Sequence, residues 1–469
     1  EEAFNEAYDA PLKLARGDEE EEGYTEKIHS YYVDLVMDDV IADLMERYQY
    51  DTATASRMLY SGGLQIVTCM DPLVQDALEE IYENEKYWAP NKGIPAQSAM
   101  VIMDPESGDI LGLVGGRGEK KISRGLNRVK SKRQSGSAIK PLSVYALAIE
   151  QGVYNYATPV DDVPQVYNED KHTYWPKNSY SGFKGWISLT EAIARSSNTV
   201  AVHTAELLGL QNVYNNLLAS GFTTLVDSVT LKNGKTFSDI SLSPLALGSF
   251  TYGVTVREMT QAYATLANGG VTSKARTYSV VRDNKGNVIL DNREQHDQQY
   301  RDSTAYMITN ILQKVVSESY GTAKKYITEF PKSFDVEIAG KTGTTNDKKD
   351  SYFCGYTPEY VACCWYGYDN NKTITDSGNQ AARLWDKVFK EPGADYKKTF
   401  DVPGSVETGA TYCTLSGKAP VPGVCDSDDV ANCVRTDGVF LRTDLPLEPC
   451  DRHVKVPYDT VGQGLCLEG

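Results

Sequence analysis

Ser137 and Lys140 are the residues whose types and spacing most readily suggest chemistry in this chain. They lie in Arg133-Gln134-Ser135-Gly136-Ser137-Ala138-Ile139-Lys140-Pro141-Leu142, ahead of an apolar-periodic run that ends near Gly152. Gly136 allows a sharp turn, placing Ser137 in the first turn of a predicted helix with Lys140 over it on the same face. A serine hydroxyl becomes a nucleophile when a base removes its proton, and an amine can do this only with a lowered pKa. A helix N-terminus, burial and a second cation all push a lysine that way. The pair fits a serine acyl-enzyme site with a lysine base. An ordinary capped helix with a solvated lysine is the competing reading. Ser181 and Lys184 repeat the spacing, but Gly182 and Gly185 surround them and no helical run follows.

Two further stretches could complete such a site. Ser196-Ser197-Asn198 offers a hydroxyl and a carboxamide two residues apart within helix-like sequence, where such a pair otherwise marks a helix break or cap. Ser377-Gly378-Asn379 has the same spacing in plain turn context. Ala339-Gly340-Lys341-Thr342-Gly343-Thr344-Thr345 is more specific. There Lys341 supplies a fixed positive charge, Gly343 lets a substrate backbone approach, and the Thr342 and Thr344 hydroxyls can grip a carboxylate. A phosphate-binding loop would need glycine at position 335, which is Asp335, and a glycine-rich stretch where Val336-Glu337-Ile338-Ala339 stands.

These motifs need a scaffold, and the 469 residues with 41% hydrophobic content suffice for two or three domains. The net charge of −17 argues against nucleic acid and anionic lipid as partners. The acid run Asp18-Glu19-Glu20-Glu21-Glu22 reads as a solvated linker, and no apolar run is long enough to span a membrane. The absence of an initial methionine favours a soluble piece of a longer protein. With 31 tyrosines against 11 phenylalanines, many half-exposed aromatics are expected. Residues up to about Tyr60 read as helical and polar. A strand follows over Gly62–Cys69, then a helix from Asp71-Pro72 to about Tyr87, completing a pedestal over residues 1–95. In the domain over 96–391, the runs 98–103 and 110–114 flank a turn, Asp104–Asp109. Helices follow near Leu189, near Met259–Leu266 and over Thr304–Val316. Strand-like runs at Val336–Thr342, Ser351–Tyr356 and Tyr360–Tyr368 close it, so one sheet is assembled from both ends of the domain and covered by helices. Residues 392–469 form a loop-rich extension holding Cys413, Cys425, Cys433, Cys450 and Cys466, five of the nine cysteines. Their spacing matches no Cys-x2-Cys zinc pattern, so no metal or cofactor is expected, and one or two disulfides with an odd thiol are. Cys363 and Cys364, adjacent in a strand, point to opposite faces as structural residues.

Ser-x-x-Lys, Ser-x-Asn and Lys-Thr-Gly, in that order within one domain, are the set shared by penicillin-binding proteins and serine β-lactamases. The chain resembles class A penicillin-binding proteins beyond these motifs. Trp175-Pro176-Lys177-Asn178, Leu189-Thr190-Glu191-Ala192, Leu247-Gly248-Ser249-Phe250-Thr251-Tyr252-Gly253-Val254-Thr255 and Phe353-Cys354-Gly355-Tyr356-Thr357-Pro358 are similar to further family blocks. The likeness runs from about Gly62 to Asp369, and the residues before it resemble the family's linker between glycosyltransferase and transpeptidase domains. No catalytic block of the glycosyltransferase is visible, so polymerising activity is not expected from this piece, although the parent could be bifunctional.

The resemblance implies an α+β penicillin-recognising serine transpeptidase fold, a mixed and largely antiparallel sheet sandwiched by helices. It makes Ser137 the nucleophile, Lys140 its base, and Ser196 with Lys341 the relay to the leaving amine. Asn198 would hold the substrate amide, and Thr342 and Thr344 its terminal carboxylate beside Gly343. The N–H groups of Ser137 and Thr344 would form the oxyanion hole. Where many relatives carry a tryptophan before the Phe-x-Gly-Tyr-Thr-Pro block, this chain has Asp350-Ser351-Tyr352, which affects packing near the site. The implied function is a peptidoglycan D,D-transpeptidase acting on D-Ala-D-Ala stem peptides and acylated by β-lactams. It would work with the cell-wall synthesis machinery at the extracytoplasmic face of the membrane, in a membrane-anchored parent. A β-lactam sensor or scaffold that acylates without turnover is the alternative. A β-lactamase would need a further deacylating base, which the sequence does not place.

Overall fold

A computed structural model of the chain describes residues 28–90, 93–168, 173–232, 234–345, 347–390, 398–428, 432–456, 458–459 and 464–465. The acidic run at 18–22 and Cys466 lie outside these residues. Helix α1 (Tyr31–Tyr48) is capped by the Ser30 hydroxyl and buries Tyr32, Leu35, Val36, Val40 and Leu44 along one stripe. Helix α2 (Thr52–Ser61) and strand β1 (Gln65–Thr68) lead to α3 (Pro72–Glu83). The Asp71 carboxylate accepts from Leu73 N at 2.8 Å, the cap expected of Asp71-Pro72.

The main sheet is built from β2 (Gln97–Met103), β3 (Ile110–Val114) and three strands contributed much later. Between them come α4 (Leu189–Ala194), α5 (Asn198–Leu208), α6 (Val256–Ala267), the hairpin β4 (Tyr278–Arg282) and β5 (Val288–Asp291), and α7 (Asp302–Ser317). The late strands are β6 (Ala339–Thr344), β7 (Asp350–Tyr356) and β8 (Val361–Gly367), followed by α8 (Gln380–Lys390). The order is β6-β7-β8-β2-β3, antiparallel throughout, so both ends of the domain do supply one sheet. Period two sorts its faces. Phe353 and Gly355 meet Trp385 of α8, while Tyr356 meets Tyr263 of α6 and Thr309 of α7. The sheet is thus sandwiched by helices. Burying an aromatic such as Trp365 or Trp385 contributes about 4–6 kcal/mol of hydrophobic free energy before ordering entropy is charged. Cys363 and Cys364 are both buried structural residues.

The N-terminal part is knitted into this body. Strand β1 pairs antiparallel with β4, more than 200 residues later, and the Tyr32 hydroxyl donates to Ile110 O at 2.6 Å. At the other end, β9 (Val406–Cys413) and β10 (Val434–Leu441) form a hairpin. Its Tyr412 and Phe440 rings pack on Tyr156 at 6.1 and 6.0 Å, and Asp437 pairs with Lys314 of α7. The described cysteines are all unbridged, contrary to the one or two disulfides expected. No helix among the described residues is long and apolar enough to cross a membrane.

Candidate active site

Ser137 lies on a tighter turn than the α-helix expected. Gly136–Ile139 is a single 3₁₀ turn, and a widened turn over Pro141–Tyr145 leads into regular helix only at Ala146–Glu150. Pro141 has no N–H to give, and Gly136 sits at φ +54°, which together disfavour a continuous α-helix here. The turn is held from three sides. Tyr263 of α6 donates to Ala138 O at 2.6 Å, and Gln134 Nε2 donates to Phe250 O at 2.5 Å. A Cβ on Gly248 would lie 2.3 Å from Gly136 O, and one on Gly343 2.2 Å from Ser135 O. Gly343 is therefore the point where β6 meets the Ser137 turn.

Between α4 and α5 the chain breaks at Ser196, a non-glycine residue at φ +62°. This strained turn aims the Ser196 hydroxyl between two fully buried lysines. Lys341 Nζ donates to Ser196 Oγ at 2.8 Å, and Lys140 Nζ lies 3.4 Å from the same oxygen. Lys140 also donates to Ser196 O (2.9 Å), Ser197 O (3.0 Å) and Asn198 Oδ1 (2.6 Å). Among the described residues none of its hydrogen bonds goes to Ser137. Asn198 Nδ2 donates to Lys177 O at 2.6 Å, so the carboxamide bridges the base and the Trp175–Asn178 block.

Burial holds the Lys140 pKa well below the usual lysine value, and the nearby Lys341 charge lowers it further against an opposing pull from Asp162. Lys341 is itself lowered by burial to about 7, with Cys354 pulling weakly the other way. Lys341 can exchange a proton near neutrality, and Lys140 is the more readily neutral of the two.

No local sequence signal marks Asp162, which organises the Ser196–Thr199 turn. Its buried carboxylate accepts from Asn178 Nδ2 (2.8 Å), Tyr180 OH (2.8 Å), Ser197 Oγ (2.9 Å), Lys184 N (2.8 Å) and Thr199 Oγ1. Burial alone would raise its pKa, but these hydrogen bonds outweigh burial and hold the group below the usual carboxylate range. Asp162 lies in a short strand, Pro159–Asp162, with no regular spacing to any motif.

A cleft of about 280 Å³ opens over this cluster, lined by Ser137, Ser196, Thr342 and Thr344 among others. Alternation along the edge strand β6 turns Thr342 and Thr344 into the cleft, while Lys341 and Gly343 face the Ser137 turn. Thr344 is exposed, whereas the Thr342 hydroxyl shares a 2.6 Å hydrogen bond with Thr322. A Cβ on Gly136 would stand 3.0 Å from Thr344 N, so the backbones bearing the two expected oxyanion donors are in contact. Gly378 and Asn379, set aside as plain turn, form part of the opposite wall, with Asn379 capping α8 through Ala382 N. Ser351 also lines the cleft, and Asp350 accepts from Trp365 Nε1 at 2.9 Å. Ser181 and Lys184 are exposed and outside any helix.

Residues 98–389 match the family model described as the penicillin binding protein transpeptidase domain. Penicillin-binding protein 1A of Clostridium botulinum is 33% identical over 433 residues, covering 89% of this chain and 50% of that protein. The chain spans about half the length of the curated relatives it matches. Among solved structures, penicillin-binding protein 1A from Haemophilus influenzae has a TM-score of 0.68 at 17% identity, covering 96% of this chain and 80% of that one. The PonA1 protein of Mycobacterium tuberculosis, in complex with penicillin V, has a TM-score of 0.63 at 22% identity, covering 79% of this chain and 96% of that one. At these identities the structural likenesses bear on the fold.

Proposed function

The chain belongs to the family of penicillin-binding protein transpeptidase domains, and from that premise we propose that it cross-links peptidoglycan stem peptides as a serine D,D-transpeptidase. The observation that carries this reading is the pair of buried lysines, Lys140 and Lys341, sharing the Ser196 hydroxyl beneath a cleft that Ser137 lines. Ser137 gives its proton to Lys140 and attacks the penultimate D-alanine carbonyl of a D-Ala-D-Ala stem. The N–H groups of Ser137 and Thr344 receive the oxyanion. Lys341 and Ser196 pass a proton to the departing D-alanine amine, and a second stem's amine then takes the acyl group. Asn198 holds the stem amide beside Lys140. Thr342 and Thr344 bind the terminal carboxylate, and Gly343 keeps their strand against the nucleophile turn.

A β-lactam offers the same carboxylate next to a reactive amide and leaves Ser137 acylated. The β-lactamase alternative gains no support from the cleft. Among the described lining residues its carboxylate is Asp376, which accepts a hydrogen bond from Tyr366 at 2.6 Å. In the proposed organisation residues 1–95 are linker and pedestal, 96–391 the transpeptidase domain, and 392–469 a cysteine-bearing extension. The domain works at the extracytoplasmic face of a bacterial membrane with other cell-wall enzymes, in a membrane-anchored parent.

Intact mass after incubation with benzylpenicillin tests the reading. The parent gains one penicilloyl group and sheds it slowly, while Ser137→Ala gains none and keeps its melting temperature, because loss of a half-buried hydroxyl leaves no sizeable cavity. An adduct on Ser137→Ala would remove the nucleophile assignment.

A further inference from the structure

The geometry points to a second, chemically unrelated site: a zinc-type metal centre in the C-terminal extension, bound by Cys413, Cys425, Cys450 and His453. One candidate ligand atom from each of these residues lies within 4.8 Å of all the others. Cys413 Sγ and Cys450 Sγ are 3.7 Å apart, and His453 Nδ1 is 3.7 and 3.3 Å from them. A tetrahedral ion with metal–sulfur bonds of about 2.3 Å has sulfur–sulfur edges of about 3.8 Å. The observed separations match those edges and are well beyond the bond length of a disulfide. Three thiolates and one imidazole suit a borderline-soft divalent ion such as zinc, and thiols coordinating it would release their protons.

The surroundings complete the site. His453 Nε2, the ring nitrogen turned away from Cys413 and Cys450, is 3.2 Å from Asp428 Oδ2. A carboxylate there fixes the tautomer that leaves Nδ1 free to coordinate. Backbone N–H groups donate to the sulfurs as they would to thiolates, Val421 N to Cys425 at 3.2 Å and Arg452 N to Cys450 at 3.4 Å. Cys433 Sγ, 3.6 Å from Nε2, packs in the same cluster and is left outside the proposed ligand set.

The packing gives such an ion a structural task. The inner half of the β9–β10 hairpin joins the main core through Val406, Tyr412, Val439 and Phe440. Among the described residues, the outer half forms a separate cluster of Cys413, Cys425, Cys433 and Cys450, flanked only by the partly buried Leu415, Val421 and Val434. So few apolar residues cannot fix several loops, and small units of this kind are held by metals or disulfides. The ligands come from four places: the end of β9, the loop after it, and the two sides of the Cys450–His453 turn. One ion would close all these loops at once. The inference is independent of the transpeptidase reading.

The test uses the full chain, purified without reductant or chelator. Elemental analysis is expected to find one zinc per chain. After chelator treatment, titration with Co2+ is expected to give a near-ultraviolet thiolate charge-transfer band and the visible bands of a tetrahedral ion. Cys425→Ser and His453→Ala should weaken or abolish these bands, while Cys433→Ser and the remote Cys69→Ser keep them. Penicillin labelling of each variant reports that the main domain is folded, so loss of metal is read separately from loss of fold. No zinc in the parent together with no Co2+ bands overturns the proposal. An unreduced intact mass lacking the hydrogens removed by two disulfides overturns it as well. Bands that survive His453→Ala but vanish in Cys433→Ser would refute the ligand set.

Discussion

Asp162→Asn tests whether the Ser196 turn is held in place by a carboxylate that touches neither serine nor lysine of the proposed chemistry. The side chains are nearly isosteric, so packing is preserved, while the hydrogen bonding changes and the charge that pulls the Lys140 pKa upward is lost. Oδ2 accepts from Tyr180 OH and Lys184 N, and Oδ1 from Asn178, Ser197 and Thr199. If the new amide nitrogen replaces Oδ2, it confronts the Lys184 N–H, which cannot rotate away. If it replaces Oδ1, it confronts the Asn178 amide. Either orientation loses at least one charge-assisted bond, roughly 1.5–3 kcal/mol, and leaves a buried donor unpaired. A total of about 3 kcal/mol corresponds to a fall in melting temperature of roughly 5–10 °C. The effect on chemistry is separate. A shift of the Ser196 hydroxyl by about 1 Å relative to the lysines costs on the order of 100-fold in rate. Thermal melting together with the acylation rate of a fluorescent penicillin measures both. A variant that melts within about 1 °C of the parent and acylates at the parental rate would refute the argument that Asp162 positions this turn.

Between pH 5 and 9 acylation is expected to depend on both lysines, favoured where Lys140, held well below the usual lysine value, has lost its proton and falling near pH 7 as Lys341 loses its own, with both limbs belonging to the coupled pair. A flat profile over this range counts against a lysine base. The same groups set the sign for stability. Lys341 is lowered to about 7 when folded, so above that pH the unfolded chain binds more protons and stability rises with pH towards the usual lysine range. Denaturant midpoints from pH 7 to 9 check the slope. Thr344→Val keeps the strand but removes a carboxylate-binding hydroxyl of roughly 1.5–3 kcal/mol, about 10- to 100-fold in acylation by carboxylate-bearing substrates. Equal losses on esters without that carboxylate would refute carboxylate recognition. Gly343→Ala drives a methyl to 2.2 Å from Ser135 O, so it should destabilise by about 1–3 kcal/mol and slow acylation, and parental values in both assays would show that the strand–turn contact does not matter.

The sheet was legible because β3, β8 and most of β2 and β7 are largely apolar runs bounded by turn residues, and a buried strand needs little else. The motifs were legible because each groups its polar residues at a spacing that its element turns into proximity. The pairing of β1 with β4 was not, since nothing local distinguishes Tyr278–Arg282 as the partner of Gln65–Thr68. Asp162 escaped for a related reason: a carboxylate that collects donors from 178, 180, 184, 197 and 199 is defined by tertiary structure alone. Cys413, Cys425, Cys450 and His453 are separated by irregular loops, so no regular Cys-x2-Cys spacing marks the candidate ligands that the fold gathers.

The backbone contacts among Gly136, Gly248, Gly343 and the Ser137 turn decide where this protein is free to vary under drug selection. Any side chain at those three positions collides with main chain that has nowhere to go, at 2.2 to 2.8 Å. Substitutions there would be purged for loss of the cell-wall reaction before they could exclude an inhibitor. The far wall is under looser constraint. Tyr326 and Asp376 are partly exposed, and Asp376 stands in a stretch without regular structure, so they can change size or charge at lower cost in folding. Reduced β-lactam affinity in descendants of this chain is therefore expected to arise by reshaping the rim of the cleft, leaving the reacting groups unchanged.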